Sequence, residues 1–297
     1  MEENKKITPI IFGASGLLGY RLYQHFLSRN LSPIGTYNQS EKSGLVFFDL
    51  EHSQLKDLKI QTNNNYFAII CASLTNISYI NENPKETAKI NVDATIRLIS
   101  SLNELNIPIL FISSDNVFSG KKGNYSDTSV ANPISEYGKQ KRIVEVALNE
   151  ITKGECIILR LAKIISNNAN DSSILNDIVS QLQSSKPIKA ARDLIFNPTA
   201  LSDIVRAIEL LINKEARGFF NFCNPESFNR LELTKILAEQ LEINQCNIQS
   251  VLFSDIDESG KRPLNTSMVN SFIFKNHTFM NINECIQSQI KLWKNET

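Results

Sequence analysis

The sequence predicts an α/β fold: a doubly wound parallel sheet with a smaller C-terminal lobe. Three observations carry that expectation. Strand-length apolar runs alternate with helix-period segments as far as Arg160, the pattern produced by helices on both faces of a parallel sheet. A glycine-rich turn, Gly13-Ala14-Ser15-Gly16-Leu17-Leu18-Gly19, directly follows the first run. Beyond Arg160 the alternation becomes irregular with no Gly/Ser linker, so the second lobe is expected to be braided with the sheet.

In chain order, the first strand is expected at Pro9 to Phe12, and the glycine turn leads into a helix that includes Leu22 to Leu27. Strands follow at Pro33 to Thr36, Val46 to Phe48 and Phe67 to Cys71. The longest helix is expected from Asn83 to Leu105. Asn83 can cap it, Pro84 fits a first turn that needs no N–H, and Ile90, Ala94, Ile96, Leu98, Leu102 and Leu105 supply an apolar face. A further strand at Ile109 to Ile112 leads into the pair Ser113-Ser114, and another runs from Cys156 to Leu159. Past a polar loop at Asn167 to Ser173, helices are expected near Ile174 to Gln183, at Leu201 to Ile212 and at Arg230 to Leu241, with a short strand at Phe219 to Cys223. The expected division is a first domain of residues 1–165 with a returning segment 199–223, and a lobe of residues 166–198 and 224–297.

With 297 residues, 42% hydrophobic and 21% charged, the chain has the make-up of a globular enzyme with ample core. Lys and Arg (31) balance Asp and Glu (31), so global charge favours neither nucleic acid nor an anionic membrane surface. The charged start, Met1 to Lys6, meets Gly13 too soon for a signal peptide. No apolar run approaches the ~18 residues of a membrane span, and a cytoplasmic location is expected. Cys71, Cys156, Cys223, Cys246 and Cys285 lack Cys-x-x-Cys spacing, and His25, His52 and His277 are isolated. Buried thiols and surface or helix-packing histidines are expected, with neither disulfides nor a metal site.

Glycine at a strand-to-helix turn permits positive φ and close backbone approach, and the first N–H groups of the helix offer a positive end to a pyrophosphate. Gly13, Gly16 and Gly19, with Ser15, Leu17 and Leu18, are the candidate cofactor contacts there. The spacing is Gly-x-x-Gly-x-x-Gly, one residue longer at its start than the commoner dinucleotide turn. About twenty residues on, where a carboxylate would bind the ribose 2′-hydroxyl of NAD, the chain reads Gly35-Thr36-Tyr37-Asn38. That lack of an acid favours NADP and leaves NAD open, with Arg21, Arg29 and Lys42 as candidate phosphate partners. Asp49-Leu50 could meet the adenine, and Cys71-Ala72-Ser73 offers small side chains at a strand end that suits a nucleotide; simple turn roles fit these residues equally well.

Tyr137 and Lys141 stand four residues apart, so a helix places them on one face. A phenol titrates near pH ~10, and a fixed positive charge nearby lowers that value. Tyr-x-x-x-Lys alone is common on exposed helices. It gains weight here because it follows a serine-ended strand and a dinucleotide-type turn.

These residues resemble the extended short-chain dehydrogenase/reductase family, and more narrowly its dTDP-4-dehydrorhamnose reductase (RmlD-like) group. The stretch from Phe111 to Tyr125, with Ser113-Ser114-Asp115-Asn116-Val117-Phe118-Ser119-Gly120, is similar to that group's Ser-Thr-Asp-Tyr-Val-Phe-Asp-Gly. Further similarities are Ile90-Asn91-Val92-Asp93, Asn132-Pro133 before Tyr137, Asn197-Pro198-Thr199 before Asp203, Gly218 to Asn221 with Pro225-Glu226-Ser227, and Lys261 to Ser267. The resemblance implies a Rossmann-type dinucleotide-binding domain and a substrate-binding lobe. It implies NAD(P)H-dependent reduction of a 4-keto-6-deoxy nucleotide sugar, with Ser114 holding the carbonyl, Tyr137 donating the proton, and Lys141 holding the nicotinamide ribose. Asn91 joins the implied cofactor contacts, and Asp115 and Arg262 the substrate contacts; a homodimer is a further expectation. Two departures stand out: Asn116 replaces a tyrosine, and Leu161-Ala162-Lys163-Ile164 lacks the tryptophan that packs on the sugar. The same branch resembles the non-catalytic β subunit of methionine adenosyltransferase, so an NADP-binding regulatory subunit is an alternative. A nucleotide-sugar epimerase or dehydratase is another, although a dehydratase wants additional carboxylates near the serine and Asp115 is the evident one.

Overall fold

The computed structural model describes residues 7–60, 65–166, 173–184, 186–257 and 259–296. β1 (Ile7–Phe12) buries its last four residues in succession, as a strand covered on both faces must. After it, α1 (Leu17–Ser28) buries Leu18, Leu22, Tyr23 and Phe26 along one stripe. β2 (Ile34–Tyr37) and β3 (Val46–Phe47) lead toward a sheet edge, where β3 is short and exposed. β4 (Asn65–Ile70) returns to the centre as a nearly continuous buried apolar run.

A short helix α2 (Ile77–Glu82), capped by Asn76, precedes α3 (Pro84–Ala88) and α4 (Thr95–Glu104). The expected helix from Asn83 to Leu105 is therefore present, but a π-turn over Lys89–Ala94 joins its two parts. Pro84 occupies the first turn as expected. The expected cap does not form: Asn83 donates its amide to Tyr79 O at 3.0 Å, because α2 ends beside it and supplies an acceptor.

β5 (Ile109–Ser114), α5 (Glu136–Ile151) and β6 (Ile157–Leu161) continue the alternation. Then follow β7 (Ile164–Ile165), α6 (Ile174–Gln183), β8 (Ile188–Ala191), β9 (Ile195–Phe196), β10 (Thr199–Ala200) and α7 (Leu201–Asn213). The chain closes with β11 (Gly218–Phe222), β12 (Phe228–Asn229), α8 (Arg230–Gln240), β13 (Ile248–Val251) and α9 (Ile282–Glu296). Most of the loop expected at Asn167 to Ser173 lies outside the described residues.

The seven-stranded sheet has the order β11-β6-β5-β4-β1-β2-β3, with β1 parallel to both β2 and β4. The strand order reverses at β1, and ligands of open α/β sheets bind beyond the carboxyl ends of strands at such a point. The glycine turn leaves β1 there. This is the doubly wound α/β fold that the alternation predicts.

Two compact units divide the chain: residues 1–114, 136–160 and 208–220 form the first, and 115–135, 161–207 and 221–297 the second. The expected first domain ran unbroken to residue 165, whereas residues 115–135 belong to the second unit. The first unit's core gathers Phe12, Phe48, Ile70, Leu98, Phe111, Leu148 and Ile158. In the second, small two-stranded pairs (β7 with β10, β8 with β13, β9 with β12) surround a core of Leu175, Ile178, Phe196, Leu233, Leu237 and Ile286.

Candidate active site

The glycine turn is fixed by contact as well as by torsion. Gly13 has φ +81°, and a Cβ there would lie 2.7 Å from the Ala72 backbone; a Cβ on Gly19 would lie 2.2 Å from Gly13 O. Gly13 N–H donates to Thr36 Oγ1 (3.1 Å) and Gly16 N–H to Gly13 O (3.1 Å). Gly16 occupies the N-cap position of α1 with no side-chain cap. The following amides, from Leu17, Leu18 and Gly19, thus keep the orphan donors that suit a pyrophosphate. Ser15 is half-buried in the turn, Gly16 is exposed, and Ala72 backs Gly13. These residues fit a dinucleotide.

Of the cations named for a 2′-phosphate, Arg29 lies at the far end of α1 and pairs with Glu209 (3.2 Å), which takes it out of that role. Lys42 rests its ammonium 4.0 Å from the Tyr20 ring centroid, in a loop held by Tyr23 Oη donating to Gly44 O (3.0 Å). Asp49 uses Oδ1 to accept the Glu51 amide (2.8 Å), and Arg97 grips the carbonyls of Leu50 and Glu51 (2.9 and 2.7 Å). Arg97 thus braces that loop from α4.

Along α5, Tyr137, Lys141 and Glu145 follow one another at four-residue spacing and share a face. Lys141 is buried; its Nζ donates to Ile112 O (3.0 Å) and lies 4.7 Å from the Phe111 ring centroid and 5.8 Å from that of Tyr137. Burial pushes its ammonium from the ordinary 10.5 down to about 8, while Cys71 and Glu145 oppose that shift. Burial also pushes the Cys71 thiol up to about 12, against the pull of Lys141. The two serines of β5 separate by strand alternation. Ser113 Oγ donates to Glu145 Oε1 (2.7 Å), and Ser114, also buried, projects to the opposite face.

Asn91 spends its side chain on the protein. Its Oδ1 accepts from Leu74 N (2.8 Å) and Ser73 Oγ (3.1 Å), and its Nδ2 donates to Leu74 O (3.1 Å) and Gln140 Oε1 (2.8 Å). Both amide hydrogens and both acceptor positions are taken by protein. The π-turn that contains Asn91 aims it at the loop after β4, so Asn91 fastens Ser73 in place.

In the second unit, Asp115 is buried and accepts from Thr266 Oγ1 (2.6 Å) and Asn116 Nδ2 (2.9 Å). Arg262 has Nε 3.7 Å from Asp257 Oδ2 and its guanidinium 6.0 Å from the Phe253 ring. Burial lowers the Lys163 ammonium; Asp115 and Asp177 act to raise it, Arg262 and Arg230 to lower it. Sequence reasoning passed over Glu145, Arg160, Gln140 and Thr266. Glu145 had a signal, since it extends the Tyr137–Lys141 spacing by one more turn; Thr266 had none, being 151 residues from Asp115.

Comparison with known proteins agrees with this architecture. The family model described as the RmlD substrate binding domain matches residues 7–291. The probable low-salt glycan biosynthesis reductase Agl14 of Haloferax volcanii is 22% identical over 264 residues, 85% of this chain and 86% of that protein. Methionine adenosyltransferase 2 subunit beta of Bos taurus is 23% identical over 266 residues, 87% and 79% of the two chains. A hypothetical dTDP-4-dehydrorhamnose reductase from Sulfolobus tokodaii superposes with TM-score 0.81 at 25% identity, covering 94% of this chain and 98% of that one. Two further structures, at 18% identity and TM-score 0.82, each cover 97% of this chain and 99% of their own: dTDP-4-dehydrorhamnose reductase from Bacillus anthracis in complex with NADP, and MoeE5 in complex with UDP-glucose and NAD. At that identity they speak for the fold.

Proposed function

Because the chain belongs to the RmlD substrate binding domain family, we propose that it is a nicotinamide-dependent reductase of a nucleotide sugar. In its finer form the reading is NADPH-preferring reduction of the C4 ketone of a 4-keto-6-deoxy sugar. The observation that carries it is the α5 face: a phenol and a buried ammonium lie side by side, and the ammonium is anchored two residues before Ser114. The complexes with NADP and NAD among proteins of this fold support the choice of cofactor class.

The first unit would hold the dinucleotide, with the amides of the glycine turn and α1 on the pyrophosphate and Ala72 and Ser73 against the nucleotide. Bound there, the nicotinamide supplies the hydride. Ser114 donates a hydrogen bond to the substrate carbonyl, and Tyr137 gives its proton as the oxygen becomes an alkoxide. Lys141 makes that proton easier to give, because an ammonium nearby favours the phenolate. Asp115 and Arg262 of the second unit are the proposed substrate contacts. The missing acid after β2 and the nearby Lys42 favour a 2′-phosphate.

The test follows NADPH and NADH absorbance with a panel of 4-keto nucleotide sugars. Turnover is expected, and Tyr137→Phe should lower it about 10²–10⁴-fold. The similarity to methionine adenosyltransferase 2 subunit beta favours a second reading, a cofactor-binding regulatory subunit; tight cofactor binding without turnover on any sugar would select it. A sugar rearranged with the cofactor returned to its starting state would point to an epimerase.

A further inference from the structure

Glu145 is fully buried and accepts four hydrogen bonds: Ser113 Oγ (2.7 Å) and Arg160 Nε (2.8 Å) on Oε1, Arg160 Nη2 (2.9 Å) and Arg142 Nη1 (3.0 Å) on Oε2. Four is the full capacity of a carboxylate. The donors come from three elements: Ser113 ends β5 beside Ser114, Arg160 lies in β6, and Arg142 lies in α5 itself. Arg160 in turn packs on an aromatic ring, with its guanidinium 5.0 Å from the Phe219 ring centroid. We propose that Glu145 is a positioning residue of the reductase site: one carboxylate locks the strand end that carries Ser114 to the helix face that carries Tyr137 and Lys141.

The inference rests on the reductase reading for its effect on rate, and on geometry for its effect on Lys141. A bidentate guanidinium fixes the carboxylate plane, and the carboxylate's remaining bonds fix β5 against α5. Sliding α5 by a fraction of its rise would shift Tyr137 relative to the strand end that carries Ser114, and misplacement of about 1 Å costs on the order of a hundredfold in rate. Glu145 also acts on the Lys141 charge. The groups facing Lys141 are Cys71 from the end of β4 and Tyr137 and Glu145 from α5, with Arg160 of β6 and Arg142 joined through Glu145.

Three variants test this, each first checked for folding by circular dichroism and thermal melting. Ser113→Ala removes one bond and no charge; it should fold normally and lose about tenfold in kcat, with KM little changed. Glu145→Gln leaves Arg160 buried without its counter-charge. The double variant Glu145→Met with Arg160→Met is its control, since replacing a buried ion pair by apolar side chains is often neutral for stability. The double variant should fold, lose about a hundredfold in kcat, and titrate Lys141 below about 8 when its Nζ resonance is followed by NMR. A folded double variant with wild-type kcat and an unmoved Lys141 midpoint would overturn the proposal. If the double variant fails to fold, Ser113→Ala decides, and unchanged kcat there overturns it. A wild-type protein without turnover would sink the reductase reading, while the Lys141 titration would still judge the link to Glu145.

Discussion

Glu145 in the first unit and Asp115 in the second are both buried carboxylates, and they are satisfied in different ways. Two guanidiniums and a hydroxyl hold Glu145, so its charge is cancelled within hydrogen-bond distance. Neutral donors, the Thr266 hydroxyl and the Asn116 amide, hold Asp115. A neutral donor stabilises a carboxylate without cancelling its charge, and the Asp115 charge acts to raise the Lys163 ammonium. The first arrangement is a fixed scaffold. The second couples its charge to the Lys163 ammonium.

Removing Arg160 should break the contrast most severely. Arg160→Met leaves the Glu145 carboxylate buried with Arg142 as its remaining hydrogen-bonded cation, and losing one partner of a buried pair costs about 3–5 kcal/mol. Urea unfolding measures it. A loss under about 1 kcal/mol would mean that Glu145 is not locked by charge. Thr266→Val removes a neutral donor from Asp115 and should cost less, about 1.5–3 kcal/mol for a bond to a charged group. Equal losses would erase the distinction between the two carboxylates.

The first unit was legible because periodicity and local chemistry point the same way there. Ile10, Ile11 and Phe12, the glycine turn and the Tyr137–Lys141 spacing each carry their signal within a few residues. The second unit's strands are mostly two residues long, as in β7, β9, β10 and β12, and such pieces form through partners distant in sequence. The same reason hid the partners that Thr266 and Asn197 find: Thr266 Oγ1 donates to Asp115, and Asn197 Oδ1 accepts the Met268 amide. Asn91 shows the same limit inside the first unit. The resemblance implied a cofactor contact there, and the π-turn engages its whole amide with Ser73, Leu74 and Gln140, which no reading of helix faces anticipates.

The Lys141 charge sharpens the comparison through pH, with two readouts of opposite sign. Its folded pKa, about 8, lies below the ordinary 10.5. The folded protein therefore binds fewer protons than the unfolded chain between those values. The stability penalty from burying the ammonium is complete below pH 8 and is relieved as pH rises toward 10.5. Turnover should do the reverse: kcat/KM, which reports the free enzyme, should fall about tenfold per pH unit above 8 as the ammonium is lost. A flat profile from pH 7 to 10 would separate Lys141 from the chemistry.

Arg230 and Asp177 of the second unit, 2.7 Å apart, supply the smallest effect. Asp177 keeps 53% of its side chain in solvent, so the pair is screened and Arg230→Ala should cost no more than about 1 kcal/mol at neutral pH. Burial tends to raise the Asp177 carboxyl, but the hydrogen bond and charge of Arg230, with Gln181, bring it below its ordinary 3.8. A lowered carboxylate contributes stability above the unfolded value and loses it as pH falls through the folded one. The difference between wild type and Arg230→Ala should thus be present at pH 7, shrink in molar salt, and vanish as pH falls through the lowered folded value and the carboxyl is protonated in both states. A large loss that persists in acid would mean that Arg230 supports the core rather than a surface charge, and the second unit would then hold a lock of the kind that Glu145 forms in the first.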